Sequence, residues 1–244
     1  MYILPVLAYR RELVYLAAAL LPAIILMVYI YKQDRVEREP RKLLLTCVVG
    51  GCAAGFLAMI IETVCMALQT GYWQSHPVSD VHIAVMTAIM VGLAEEASKL
   101  LFLKKSTWKS PEFNYQFDGI VYAVFTSLGF AALENVLYVF SYQDLSIALS
   151  RGILSIPAHM SFAVYMGLYY GKAKNAQVSG KETACTLYQW EGYLSAVFLH
   201  AVYDGSIMIG SDASMMFFVA FVILLDINVI RTIRWQAAGD RSIY

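Results

Sequence analysis

The chain has 244 residues, of which 59% are hydrophobic and only 15% are charged, and its 18 Lys and Arg balance its 18 Asp and Glu. Soluble domains contain about 45–50% apolar and about 25% charged residues, so this composition argues against a soluble enzyme and excludes a disordered chain. A net charge of zero provides no field that would attract nucleic acid, and we expect no nucleic-acid partner. Since a membrane span needs about 20 apolar residues, the length leaves room for no second, soluble domain.

Seven apolar segments follow one another along the chain. Inside a bilayer each must be a helix, because only a helix satisfies its own backbone hydrogen bonds. The predicted spans cover residues 13–31, 43–68, 82–103, 118–140, 151–171, 187–210 and 214–230. We therefore predict an all-α, polytopic membrane helix bundle of about seven transmembrane helices, which forms a single integral-membrane domain over residues 1–244 and lies in the cell membrane.

The distribution of basic residues predicts the orientation of the bundle. The loops after spans 1, 3 and 5 and the tail after span 7 carry Lys and Arg, whereas residues 69–81, 141–150 and 211–213 carry none. Positively charged loops stay in the cytoplasm, so we expect an outside N-terminus and an inside C-terminus. Arg10 and Arg11 oppose this assignment, but the loop after span 1 carries more positive charge.

Span 3 contains two adjacent glutamates, Glu95 and Glu96, followed by Lys99. A charge in mid-bilayer costs about 2.5–3.5 kcal/mol, so such residues are functional candidates. Lys99 lies one helical turn from Glu95 and can pair with it. Two close carboxylates in a low dielectric do not both ionise easily, and the one that accepts a proton suits a general base that activates water. A purely structural Glu–Lys pair would explain Glu95 but not Glu96.

Span 4 carries a second acidic site, Glu134 with Asn135, which we expect nearer the outer surface. These residues are candidates for catalysis or substrate binding, and an interhelical hydrogen-bond clamp is the structural alternative. Asp118, at the inner end of the same span, is better explained as a helix cap. Glu62, near the outer end of span 2, is expected to be structural.

Spans 5 and 6 each add a histidine. Arg151 and His159 belong to one polar stripe in span 5, and Pro157 within that stripe should kink the helix. In span 6, His200 and Asp204 lie one turn apart, so the carboxylate can orient the imidazole. The same spacing also suits two ligands of a metal site.

Together these residues resemble the PrsW family of intramembrane proteases, within a wider superfamily that includes CAAX prenyl endopeptidases and bacteriocin-processing enzymes. The resemblance covers about residues 82–210, which we take as the catalytic core. It rests on five motifs in order: Glu95-Glu96-x-x-Lys99, Phe117-Asp118-Gly119-x-x-Tyr122, Gly129-Phe130-Ala131-x-x-Glu134-Asn135, His159, and His200-x-x-Tyr203-Asp204. Lys99 distinguishes the chain from the CAAX branch, which has an arginine there.

The resemblance implies an endopeptidase that cuts a membrane-anchored protein within or at the lipid bilayer. Family members of known role cleave anti-sigma factors on their extracytoplasmic side and start a stress response. We expect four catalytic residues, Glu95, Glu96, His159 and His200, and four supporting residues, Lys99, Glu134, Asn135 and Asp204. A glutamate with His159 would activate water, and His200, oriented by Asp204, would stabilise the oxyanion or protonate the leaving amine.

Two features of the hypothesis have alternatives. The two glutamates and two histidines could instead hold a zinc ion, but we favour no cofactor, because Lys99 adds positive charge that a cation site would not favour. Intramembrane Glu and His relays also occur in proton- or ion-coupled transporters and channels, although the inverted repeats of many transporters are not visible in the sequence. A non-catalytic membrane adaptor is a third class.

Overall fold

The computed structural model describes residues 3–244, with side chains from residue 12 onward, so the side chains of Arg10 and Arg11 lie outside the described part. The backbone forms eight helices, α1 (Ile3–Gln33), α2 (Arg41–Ser75), α3 (Asp80–Thr107), α4 (Asp118–Tyr142), α5 (Leu145–Ile153), α6 (Ser155–Val178), α7 (Glu182–Ile209) and α8 (Asp212–Ala238). Within residues 3–244 the only β-type pairing is one isolated antiparallel bridge between Tyr115 and Ser242. The predicted all-α class is confirmed.

Seven helical stretches are long and apolar enough to cross a membrane, and the fifth of them, Leu145–Val178, combines α5 and α6. Each predicted span falls on one of these stretches, so the prediction of seven transmembrane helices is confirmed. The orientation of the bundle stays a prediction.

The short α5 and the longer α6 result from a break inside the fifth span. The break lies at Leu154, three residues before Pro157, which occupies the first turn of α6. Proline has no N–H to donate to the preceding turn and is tolerated only at the start of a helix. The sequence predicted a kink at Pro157, and the structure instead divides the span at Leu154, which leaves α5 as a separate short helix.

Helix α4 is the centre of the bundle and contacts α1, α2, α3, α5 and α6. Glycines permit the closest of these contacts. A Cβ atom at Gly51 of α2 would lie 1.9 Å from the carbonyl oxygen of Thr126, and one at Gly167 of α6 would lie 2.5 Å from the carbonyl oxygen of Gly119. Small residues allow membrane helices to approach closely. With α7 packed against both α3 and α6, the polar residues of several spans converge on one interior region.

Candidate active site

Glu95, Glu96 and Lys99 lie on α3 and are 6%, 0% and 2% exposed. Residues three and four positions apart share a helix face, so the Lys99 Nζ atom reaches both carboxylates. It donates hydrogen bonds to Glu95 Oε2 at 3.0 Å and to Glu96 Oε1 at 2.8 Å. The sequence predicted a pairing of Lys99 with Glu95 only, whereas in the structure the same ammonium group pairs with both glutamates.

His159 reaches this group from α6. Its Nδ1 atom lies 3.0 Å from Lys99 Nζ, and an ammonium group has only donors, so Nδ1 accepts. The ring hydrogen is then on Nε2, which donates to Glu134 Oε2 at 3.1 Å. The Ser127 hydroxyl donates to the carbonyl oxygen of His159 at 2.9 Å. These contacts fix both the ring and the backbone of His159.

His200 reaches the group from α7 and contacts carboxylates through both ring nitrogens. Its Nδ1 donates to Glu96 Oε1 at 2.9 Å, and its Nε2 lies 3.3 Å from Asp204 Oδ2. Glu95 Oε2 is more distant from Nε2, at 3.9 Å. The predicted pairing of His200 with Asp204 is present, and it leaves His200 with hydrogen-bond acceptors on both sides.

We refer to Glu95, Glu96, Lys99, His159 and His200 as the midspan cluster. Aromatic rings enclose it. The Lys99 Nζ atom lies 4.1 Å from the centre of the Phe130 ring, and the Phe162 ring stacks on His200 with centroids 4.9 Å apart. Such rings exclude water and stabilise a cation over their faces, so the cluster is both charged and largely dry.

Glu134 of α4 connects the midspan cluster to α5. Its Oε2 accepts from His159, and its Oε1 lies 2.9 Å from an Nη atom of Arg151. The Arg151 guanidinium also lies over the Tyr138 ring, 3.8 Å from its centre. The sequence assigned Glu134 a supporting role but gave it no partner.

A cavity of about 560 Å³ opens beside the midspan cluster. Its polar lining includes the following side chains: Glu62, Glu95, Glu134, Arg151, His159, His200 and Asp204. Its apolar lining includes six residues that are each 37–44% exposed: Met59, Met66, Leu137, Leu154, Ile207 and Met208. Glu95 lines the cavity, whereas Glu96 lies behind it and is fully buried. The cavity therefore has a charged floor and an apolar exposed edge.

Two residues take places that differ from the expectations from sequence. Asn135 lies outside the cavity lining, and its side chain donates to the carbonyl oxygen of Ala19 in α1 at 3.0 Å, which is the interhelical clamp considered as its alternative. Glu62, expected to be structural, lines the cavity, and its Oε1 is buried without a hydrogen-bond partner among the described residues. In the sequence, the position of Glu62 near the end of a span did not indicate that it would line the cavity.

The four predicted catalytic residues can supply a metal site. One donor atom each from Glu95, Glu96, His159 and His200 lies within 4.8 Å of the others. Carboxylate and imidazole donors suit zinc, so the donor set fits a divalent cation. However, the Lys99 ammonium lies within 3.0 Å of three of these residues. A cation and the Lys99 nitrogen would compete for the same carboxylates.

A second buried acidic group lies where the loops after α1 and α3 meet the first turn of α4. We refer to Asp34, Glu39, Asp118 and Tyr122 as the loop cluster; each is at most 2% exposed. The Tyr122 hydroxyl donates to Glu39, and Asp118 accepts from the backbone N–H of Tyr115 at 2.7 Å. Tyr115 lies in the loop before α4, and Asp118 is the first residue of that helix rather than its N-cap, so the predicted role of Asp118 as a helix cap is wrong. Burial raises the pKa of Glu39 to about 7 and that of Asp34 to about 6.

Comparison with known proteins gives one consistent family. The family described as "PrsW family intramembrane metalloprotease" matches residues 39–227, which extends beyond the predicted core at both ends. The chain is 31% identical over 212 residues to the Protease PrsW of Clostridioides difficile (strain 630), covering 85% of this chain and 84% of that protein. It is 33% identical over 189 residues to the Protease PrsW of Geobacillus kaustophilus (strain HTA426), covering 78% and 77%. No solved structure matches.

The match covers more than half of the chain, and all five motifs noted in the sequence lie within it. The structure places Glu95, Glu96, His159 and His200 together in the interior of seven apolar helices. The chain is thus a multi-pass protein of the cell membrane and a hydrolase, and it belongs to the PrsW family of intramembrane proteases.

Proposed function

We propose that this protease hydrolyses a peptide bond in a membrane-anchored protein, an anti-sigma factor-like regulator, on its extracytoplasmic side. The observation that carries the proposal is the cavity that joins Glu95, His159 and His200 to an apolar, exposed edge. An apolar edge matches the side chains of a substrate helix, and a polar floor can hold the water that hydrolysis consumes.

Glu95 is the residue we assign to water activation. It lines the cavity, so its carboxylate can reach a water molecule there. General-base catalysis requires such direct reach. The water oxygen attacks the scissile carbonyl carbon while its proton passes to Glu95. Glu96, fully buried and bonded to Lys99 and His200, holds these two groups in position.

The two histidines complement Glu95 in the reaction. We assign His200, whose two ring nitrogens contact Glu96 and Asp204, to the stabilisation of the oxyanion and to the protonation of the leaving amine as the carbon–nitrogen bond breaks. His159 lines the same cavity and accepts through Nδ1 from Lys99, so it helps to hold the ammonium beside Glu95. The products are a carboxylic acid and an amine, which balances the added water.

Zinc would be held by Glu95, Glu96, His159 and His200. When bound, it would polarise the carbonyl and lower the pKa of a bound water. We favour the metal-free arrangement, because Lys99 already places a positive charge between the two glutamates.

The cleavage side follows from the predicted orientation. His159 lies four residues after the start of α6, and the α5–α6 break lies on the side of the bundle that carries no basic loop residues. With this side outside the cell, the cavity opens outward and cleavage falls in the extracytoplasmic juxtamembrane stretch or the outer half of a single-span substrate helix.

The test is proteomics of shed extracytoplasmic fragments in cells that express the wild type or Glu96→Gln. We expect new termini on the outer side of a substrate helix in wild-type cells only. Termini on the cytoplasmic side would contradict the orientation or the site, and identical fragments in both cells would contradict the assignment of Glu96.

A further inference from the structure

Three charged or polar side chains form a line from α5 into the midspan cluster. Arg151 contacts Glu134 Oε1 at 2.9 Å, and Glu134 Oε2 accepts from His159 Nε2 at 3.1 Å. The two oxygens of one carboxylate are thus divided between a guanidinium and an imidazole. The side chains of Arg151 and Glu134 are 19% and 23% exposed, so water screens this pair little.

The Glu134 contact decides which nitrogen of His159 faces the midspan cluster. With the ring hydrogen on Nε2, the Nδ1 lone pair points at Lys99. If Glu134 turned away, the ring would lose the partner that holds its hydrogen on Nε2. A carboxylate that donates nothing and accepts from an imidazole fixes the tautomer of that imidazole.

Arg151 is the group that keeps Glu134 in place. It is the one Lys or Arg among the described residues that line the cavity, and it supplies the positive charge next to Glu134 on the side away from His159. Its position over the Tyr138 ring limits the movement of the guanidinium. Without Arg151, the Glu134 carboxylate could rotate into the cavity and be solvated there instead of accepting from His159.

We propose that Arg151 is a positioning residue that acts through Glu134 to hold His159 with Nδ1 toward the midspan cluster. The proposal rests on the proposed function for its effect on catalysis, but the ring state of His159 can be measured without a substrate. Glu134 and His159 belong to the motifs that carry the family resemblance in this sequence, whereas Arg151 does not.

The position of Arg151 also suggests that it can be replaced without disturbing the fold. It lies on the nine-residue helix α5, whose buried residues are Ala148 and Gly152. The side chain of Arg151 does not belong to the large apolar core around α4. Arg151→Gln should therefore leave the bundle intact, and Arg151→Lys keeps the charge while losing the planar group.

The first experiment is a double-mutant cycle on peptide cleavage with Arg151→Gln, Glu134→Gln and both together. We expect each single variant to lower kcat by about 10–100-fold with little change in KM, as for other groups that orient an active residue. Because Arg151 acts only through Glu134, the double variant should be no slower than Glu134→Gln. Arg151→Lys should recover part of the rate, and Arg35→Gln, an exposed arginine of the loop after α1, is the matched control.

Effects that multiply in the double variant, or an unchanged kcat in Arg151→Gln, would overturn the proposal.

The second experiment is ¹⁵N NMR of ring-labelled histidine in a His76→Gln, His82→Gln background, which leaves only His159 and His200. We expect His159 to carry its hydrogen on Nε2 and to lose this single state in Arg151→Gln but not in Arg35→Gln. A His159 ring that is identical in all three proteins would overturn the proposal even if the protein cleaved no substrate.

Discussion

The midspan cluster and the loop cluster are both groups of buried carboxylates, but they neutralise their charge in different ways. Lys99 pairs with Glu95 and Glu96 in the midspan cluster, and Arg151 pairs with Glu134 beside it. In the part of the chain with described side chains, Asp34, Glu39 and Asp118 have no Lys or Arg within 4 Å, and a tyrosine hydroxyl and backbone N–H groups surround them instead. Burial without a cation favours the protonated acid.

This difference separates a site that can do chemistry from one that responds to pH. A basic partner favours the charged form of a buried carboxylate, and a charged carboxylate can take a proton from water. In the loop cluster, burial raises the pKa of Glu39 to about 7 and that of Asp34 to about 6, so both acids titrate near neutral pH. No member of this cluster lines the cavity. We therefore expect substitutions in the midspan cluster to abolish activity and substitutions in the loop cluster to alter stability.

The largest expected effect is the loss of the water-activating carboxylate. Glu95→Gln keeps the size of the side chain but removes the base, so cleavage should fall by about 10²–10⁴-fold. His200→Ala should have a comparable effect. The measurement is the rate of peptide cleavage by purified protein, with Glu191→Gln, an exposed glutamate of α7, as the control. Wild-type rates in Glu95→Gln would show that the midspan cluster is structural.

Lys99 decides between a metal-free and a metal-bound midspan cluster. Lys99→Met removes the ammonium that competes for the carboxylates, so we expect this variant to bind one zinc ion more tightly than the wild type does. Elemental analysis and zinc titration measure this directly. The wild type should stay active after chelator treatment, and one equivalent of zinc that is lost together with wild-type activity would contradict the metal-free account.

The loop cluster gives a smaller effect with a defined sign. The pKa of Glu39 is raised from 4.5 to about 7, so between these values the folded state binds a proton that the unfolded state does not. Stability should therefore fall as the pH rises from about 4.5 to about 7 and then level off. Glu39→Gln should reduce this slope in thermal unfolding, whereas Glu37→Gln, an exposed acid of the same loop, should not. Equal slopes in Glu39→Gln and wild type would contradict the raised pKa of Glu39.

The two clusters should also differ in the side of the membrane from which they are reached. After removal of Cys47, Cys52, Cys65 and Cys185, a cysteine at Val36 marks the loop-cluster side and one at Ser75 marks the opposite side. Both positions are exposed. An impermeant thiol reagent added outside cells should label Ser75→Cys and spare Val36→Cys. The reverse pattern would overturn the predicted orientation.

Much of the architecture could be predicted because membrane helices obey strong local rules. A run of about 20 apolar residues must be helical, and a charge within it must face the interior, so Glu95, His159 and His200 were recognisable as interior residues. Their contacts depend on side-chain directions that spacing alone does not define. The sequence therefore assigned Lys99 to Glu95 only, although the helix face it occupies also reaches Glu96.

The loop cluster was not predictable as a unit. Asp34 and Glu39 are separated from Asp118 by about 80 residues, and a lone acid in a polar loop is ordinarily solvated. Their burial arises only when two loops and the C-terminal tail pack together, with the backbone N–H of Gln116 bonded to the carbonyl oxygen of Arg241. Glu62 was missed for a similar reason, because its place in the cavity depends on how α2 lies against α4.

The most direct test of the account uses one set of proteoliposomes that contain the purified protein, a single-span protein substrate and an internal pH-sensitive dye. Intact mass spectrometry follows the substrate while the dye follows proton movement. We expect the wild type to produce two fragments with one new pair of termini, Glu95→Gln to produce none, and neither protein to alter the internal pH. An intact substrate together with proton flux that depends on Glu95 would contradict the protease mechanism and assign the midspan cluster to proton transport.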